Sequence, residues 1–388
     1  MWFFNSPEIV YGEGALSYLE QLTGRRAFIV TDPTLAALGY PEQVREHLRR
    51  GGITSTVYTD VEPEPSLETI RRGAEAMAAY GPDWIVGLGG GSCLDAAKAM
   101  WVLYERPDVP PDAISPLEPL GLRRKARLIC IPTTAGTGSE ATWAIVLTDP
   151  HEHRKLGLGS REALPDIAIV DPALTRDLPP DLTAATGMDA LTHAVEGFTS
   201  SWANPFSDAL CLHAARLILT YLPRAVRQGS RDPQAREMMA IAATMAGLGF
   251  GNSMAALAHA LGHSAGALFG VHHGRIVGLF LPYTVEFTGP YGDGRYQELA
   301  RYLDLPATDD VTAAQALATA VRQLAAQIHM PLSLQEIGIT REALAQSLDR
   351  LCDLAETDPT IVTSRRVPSR DELRRLFLYA YEGRSVDF

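Results

Sequence analysis

Hydrophobic and polar positions follow two different rhythms along this chain. Through roughly the first 180 residues, short β-branched runs at 27–30, 55–58, 84–86, 128–131 and 167–170 predict strands. Between them, apolar residues recur every three to four positions over 67–80 and 93–104, which predicts helices. Strand–helix alternation of this kind implies an α/β unit with a doubly wound parallel sheet. After Leu178-Pro179-Pro180 the rhythm changes to long Ala-, Leu- and Arg-rich helical patterns at 181–199, 205–227, 233–248, 311–329 and 341–356. The prolines mark a boundary, giving an N-terminal α/β domain at 1–180 and an all-helical C-terminal domain at 181–388.

Composition narrows the class. A chain of 388 residues that is 46% hydrophobic can bury two cores. A formal net charge of −12 repels phosphate backbones and anionic membranes, so neither nucleic acid nor membrane is an expected partner. Cys93, Cys130, Cys211 and Cys352 are scattered with no C-x-x-C pair, which suits a reducing compartment without disulfides. The start MWFFNSPEIVYG lacks a basic leader pattern, and the expected location is cytoplasmic.

The stretch from Trp84 to Ala99, WIVGLGGGSCLDAAKA, reads as strand, glycine turn and helix start. Glycines without a Cβ let a pyrophosphate approach the backbone, where helix N-terminal amides and the positive dipole end receive it. This is not the full G-x-G-x-x-G fingerprint, because Ser92 stands at the third glycine position. A second account keeps the turn purely structural, with Ser92 and Asp95 forming an S-x-x-D capping box. Asp32, ending the strand at 27–30, has two readings as well: acceptor for an adenosine ribose, which would favour NAD over NADP, or turn former before Pro33.

In GMDALTHAVEG (187–197), Asp189 and His193 share one helix face, as do His259 and His263 further on; His272 and His273 follow closely. Six of the ten histidines (with His213) fall between 193 and 273, in apolar surroundings. One carboxylate and several imidazoles buried together cost several kcal/mol unless paired or bound to a cation. One divalent ion, Fe2+ or Zn2+, accepts an oxygen and three nitrogens and keeps room for another oxygen. A single Asp–His pair would more simply be a local hydrogen bond; three clusters argue for the metal. His151-Glu152-His153, beside Asp149-Pro150, reads as a solvated loop.

These pieces resemble the iron-containing (group III) alcohol dehydrogenases. The matching segments are GGGSCLDAAKA (89–99), IPTTAGTGSEAT (131–142), PDIAIVDPALT (165–175), GMDALTHAVEG and AHALGHSAGALFGVHHG (258–274), in order along nearly the whole chain. The resemblance implies a Rossmann-like dinucleotide-binding domain plus a helical domain, the architecture shared with dehydroquinate synthase. It implies a metal held by Asp189, His193, His259 and His273, with His263 as a catalytic proton relay. For the cofactor, NAD in preference to NADP, it implies Asp32, Gly89, Gly90, Gly91, Ser92, Thr133, Thr134, Thr137 and Lys155. Ala144 and Phe250 would line the substrate pocket. The expected reaction is reversible hydride transfer between a small alcohol and its aldehyde or ketone, in a homodimer or higher homo-oligomer with residues 2–11 as an intersubunit strand. Two departures bear on the substrate side: His272 occupies a position often held by another residue, and Ser364-Arg365-Arg366 stands where Asn-Pro-Arg is common. Glycerol dehydrogenase-like or dehydroquinate synthase-like chemistry, or a metal-dependent hydrolase, are the alternatives; a phosphorylated sugar acid would call for several lysines, and the chain has three.

Overall fold

Strand formation follows the β-branched runs. The computed structural model describes residues 3–149 and 154–388; the His151–His153 stretch expected to be a solvated loop lies outside the described residues. The chain divides into two compact units, Met1–Asp177 and Leu178–Phe388.

In the first unit, β1 (Glu8–Tyr11), β2 (Arg26–Val30), β3 (Thr54–Tyr58), β4 (Trp84–Gly89), β5 (Arg127–Pro132) and β8 (Ile167–Val170) form one parallel sheet, in the order β1-β8-β5-β4-β2-β3. The antiparallel pair β6 (Ala144–Asp149) and β7 (Arg154–Gly159) stands apart as a hairpin. Among the described residues of this unit, the α-helices are α1 (Pro33–Ala37), α2 (Tyr40–Arg50), α3 (Leu67–Tyr80) and α4 (Gly91–Glu105).

Successive residues of a strand face opposite ways, and the cores show it. Phe28 and Val30 join Ile70, Met77 and Trp101 on one face, while Ala27 and Ile29 join Val44, Leu48 and Ile53 on the other. Coverage on both faces explains why the strands read as continuous apolar runs. Each fully buried Ile or Val stabilises the sheet by about 1.5–3 kcal/mol relative to exposure. From β2 the sheet grows to β3 on one side and through β4, β5 and β8 on the other, so the direction of winding reverses between β2 and β4. Beyond the carboxyl ends of strands at such a reversal, a crevice opens for ligands.

The second unit is helical throughout the described residues: α5 (Pro180–Thr199), α6 (Pro205–Gln228), α7 (Pro233–Gly251), α8 (Leu257–Phe269), α9 (His273–Thr288), α10 (Arg295–Tyr302), α11 (Asp310–Gln327), α12 (Arg341–Thr357) and α13 (Arg370–Glu382). Every residue of α5 from Thr183 to Thr199 is buried, as expected for a helix apolar on all sides. It packs against α6, α7 and α9. Glycine permits the closest of these approaches: a Cβ on Gly274 would strike the Ala185 carbonyl and lie 3.0 Å from Asp189 Cβ, and one on Gly278 would lie 2.7 Å from Met188 Cβ. Among the described residues, only the helical stretch Pro205–Arg231 reaches the length and apolar character of a membrane span. On it, Asp208 pairs with Arg295, Arg216 with Asp304 and Arg224 with Asp232.

Candidate metal centre and dinucleotide cradle

Asp189, His193 and Glu196 stand at i, i+4 and i+7 on α5, one stripe of a helix that is otherwise apolar. α8 brings His259 and His263 one turn apart, and α9 begins with His273. Asp189 Oδ1 lies 3.7 Å from His193 Nδ1, 3.8 Å from His259 Nε2 and 3.5 Å from His273 Nε2. The His193 and His259 Nε2 atoms are 2.9 Å apart. Donors around one tetrahedral ion with bonds of about 2.0–2.2 Å sit about 3.3–3.6 Å from one another. Asp189, His193 and His259 each offer an atom within 4.8 Å of the others', so the set fits a single cation.

The electrostatics agree with that fit. Burial, with His259 and His263 adding to it, pushes His193 well down, so its imidazole is neutral and keeps a lone pair. His193 Nδ1 is buried without a hydrogen-bond partner among the described residues. At His259, burial acts to lower the value, but Glu196 and Asp189 outweigh it and raise the ring. Glu196 takes the His259 Nδ1 hydrogen at 2.5 Å, which leaves Nε2 to face Asp189 and His193. Such outer carboxylates fix the tautomer of a ligating histidine.

His263 binds a different acid, its Nδ1 lying 2.7 Å from Asp358 Oδ2. Its ring stacks on His273 with centroids 5.2 Å apart. Burial pushes the Asp358 carboxyl up, yet the His263 ring and the Thr360 amide and hydroxyl bring it down to about 2. Phe250 stacks on His193 at 4.0 Å between centroids, so this proposed pocket residue lies directly against the cluster. His272 is exposed at the N-cap of α9. His213 is also outside the group, exposed beside the Tyr302 hydroxyl at 3.1 Å. The expectation that all six histidines lie in buried surroundings therefore fails for these two: each falls on the solvent side of its element. Of the Ser364-Arg365-Arg366 segment, Arg365 donates to the Thr199 carbonyl at 3.0 Å and Arg366 lies over the Phe287 ring.

In the first unit, Asp32, Gly89 and Thr133 mark the carboxyl ends of three neighbouring strands, β2, β4 and β5. Gly89 adopts φ +150, a backbone that side chains rarely take. Gly90 caps α4 without any side-chain bond, and the helix carries no acidic residue in its first turn. Those N-terminal amides suit an anion. A Cβ on Gly90 would lie 3.5 Å from Thr134, and one on Gly91 would lie 2.7 Å from Thr137 Cγ2. Thr133 donates its amide to the Gly89 carbonyl at 3.0 Å. The glycine turn and the threonine loop thus form a single cradle.

The capping-box account of Ser92 and Asp95 is corrected by these contacts. Ser92 is already inside α4 and its Oγ accepts the Glu64 amide at 3.3 Å. Asp95 instead takes the Ser139 hydroxyl at 2.5 Å and the Val146 amide at 3.0 Å. Beside it the fully buried Lys98 ammonium donates to Ser139 Oγ at 2.7 Å and to the Ala144 carbonyl at 2.9 Å. This pair, missed in the sequence, ties the start of β6 to α4; a lysine inside an apolar helical run was its signal. Lys155 meets Glu64 at 2.7 Å. Asp32 does cap α1, accepting from the Leu35 amide at 2.9 Å, and its other oxygen receives the Cys93 thiol at 3.4 Å. Asp32 nonetheless keeps partial exposure.

Comparison with known proteins adds an independent line. Residues 6–172 match the family described as iron-containing alcohol dehydrogenase, and residues 183–381 match the C-terminal part of the same family. The chain is 36% identical over 391 residues to an NADPH-dependent butanol dehydrogenase of Clostridium saccharobutylicum, covering 100% of both. Among solved structures it is similar to an alcohol dehydrogenase from Oenococcus oeni (TM-score 0.91, 31% identity, 98% of this chain and 100% of that one). It is also similar to a sulfoacetaldehyde reductase from Bifidobacterium kashiwanohense in complex with NAD+ (TM-score 0.87, 29% identity, 98% of each chain).

Proposed function

This chain belongs to the iron-containing alcohol dehydrogenase family and is an oxidoreductase acting on CH–OH groups; from that premise we propose that it interconverts a small alcohol and its aldehyde or ketone at a centre formed by Asp189, His193, His259 and His273. The convergence of Asp189, His193 and His259 on one point carries the reading. A divalent ion, Fe2+ or Zn2+, held by these residues would supply Lewis-acid polarisation of the alcohol oxygen, and a bound nicotinamide would supply the hydride acceptor.

The chain's own residues do the rest. Burial keeps the His193 imidazole neutral, and Glu196, holding His259 through Nδ1, aims that ring inward. His263, oriented through Nδ1 by Asp358, keeps Nε2 for the alcohol proton. Phe250, flat against His193, gives the pocket an apolar wall that excludes water and admits a short carbon chain. In the first unit, the amides of Gly90, Gly91 and Ser92 with Thr133, Thr134 and Thr137 bind pyrophosphate, and Lys155 binds the nicotinamide ribose. The Asp32 carboxylate, beyond β2, accepts the adenosine ribose hydroxyls and repels a 2′-phosphate, giving NAD preference. A homo-oligomeric, cytoplasmic enzyme is the accompanying expectation.

Steady-state rates with NAD and NADP across a panel of alcohols and aldehydes, after separate reconstitution with Fe2+ and Zn2+, test this reading. Asp32→Ser retains a helix cap while removing the charge, and NADP preference should rise by about tenfold or more, or 1.4 kcal/mol. An unchanged cofactor ratio would release Asp32 from the selectivity role.

A further inference from the structure

The stripe on α5 does not end with the two proposed ligands. Glu196, 4% exposed, lies one turn beyond His193. Its carboxylate accepts three hydrogens from the start of α8: the Ala256 amide at 2.8 Å, the Ala258 amide at 2.5 Å and His259 Nδ1 at 2.5 Å. α8 has no side-chain cap of its own, since Ala256 occupies the N-cap. Orphan amides at a buried helix start need acceptors, and an anion there also meets the positive end of the helix dipole. One side chain therefore caps α8 from another helix and simultaneously dictates which ring nitrogen of His259 carries the hydrogen.

We propose that Glu196 is a positioning residue for the metal centre, setting both the placement of α8 and the His259 tautomer that presents a bare Nε2 to Asp189 and His193. The inference rests on the reading of those residues as metal ligands. Its chemistry is specific to a carboxylate. The amide of glutamine is close in shape but has one acceptor oxygen and a donor NH2, so it cannot accept from both α8 amides and from the imidazole together. Turned one way it leaves helix amides without an acceptor. Turned the other it offers a donor to Nδ1, which favours the tautomer with hydrogen on Nε2 and closes the nitrogen needed by a cation.

The test is equilibrium binding of Zn2+ to the full-length, metal-stripped protein, read by competition with a chelator, alongside thermal unfolding of the metal-free form. Glu196→Gln should weaken Zn2+ binding by about 10–100-fold, the range seen when an outer partner of a ligating histidine is lost. Glu196→Asp, which keeps the charge with a shorter reach, should recover part of that loss. If Glu196→Gln does not fold, the aspartate variant carries the test by itself, with weakened binding expected. A purely structural cap would lower the unfolding temperature of the metal-free variants and leave Zn2+ affinity at the wild-type value, and that result overturns the proposal. Asp189→Ala and His259→Ala serve as references: loss of Zn2+ in them with wild-type affinity in the Glu196 variants refutes this inference alone, whereas retained Zn2+ in the references refutes the ligand reading beneath it.

Discussion

The candidate dinucleotide cradle of the first unit and the polar cluster of the second are made of opposite materials. The cradle consists of backbone amides, a left-handed glycine turn and threonine hydroxyls, none of which titrates near neutral pH. The cluster consists of buried ionisable side chains from α5 and α8, with the partly exposed His273 of α9 beside them. Amide donors at an open helix start are hydrated when no anion is bound, so the cradle costs little while waiting. A carboxylate and facing imidazoles removed from water cost several kcal/mol until something shares their lone pairs. Cofactor binding should therefore be nearly indifferent to chelators, and the second unit should respond to metal strongly.

The largest expected effect breaks the two regions apart. Asp189→Ala should weaken metal binding by more than about 100-fold, the upper end for losing a mere outer partner, and abolish alcohol oxidation; NADH titration by nicotinamide fluorescence should stay at the wild-type affinity. A parallel loss of NADH affinity would mean that the two regions are not separable. Next in size, His263→Ala should lower turnover by about 10²–10⁴-fold with metal content unchanged and an altered pH profile. Full turnover would remove His263 from the proton path.

Smaller changes sharpen the contrast from the other side. Gly91→Ala forces a methyl to within 2.7 Å of Thr137 Cγ2, which should cost about 1–3 kcal/mol and weaken NADH while sparing Zn2+ affinity. The smallest effect is an acid one. With its carboxyl held down at about 2 against an ordinary value near 4, Asp358 adds about 2 kcal/mol of stability. Because the folded value is the lower one, this contribution is complete above about pH 4 and fades as pH falls toward 2. Urea unfolding of wild type and Asp358→Asn should thus differ most at pH 5 and converge by about pH 2; a gap independent of pH would contradict the assignment.

Legibility in the sequence followed how local each signal was. Strands β2, β4, β5 and β8 showed as β-branched runs because both sheet faces are covered. Residues 2–11, expected as an intersubunit strand, contain β1, a short, half-exposed edge strand that pairs with β8 of its own chain; the β6–β7 pair escaped notice, because β7 carries Gly157 and Gly159 within its six residues. Helix α2 was passed over since only Pro41, Val44 and Leu48 face inward. In the candidate site, the Asp189–His193 and His259–His263 pairs were visible through helical spacing. Glu196 obeyed the same spacing, three residues beyond His193, but a glutamate on a helix ordinarily signifies a solvated face. Asp358 had no local signature, because it reaches His263 across 95 positions of chain.

Gly274 and Gly278 of α9 carry a further consequence. With no side chains between them and α5, the bite between His273 and Asp189 is gauged by how near two main chains come, not by the reach of flexible groups. A methyl at 274 would act as a shim, widening the jaw and favouring ions of larger radius without altering any donor atom. Were Asp189 and His273 to hold an ion, the choice of cation would rest partly on residues that have nothing to coordinate with.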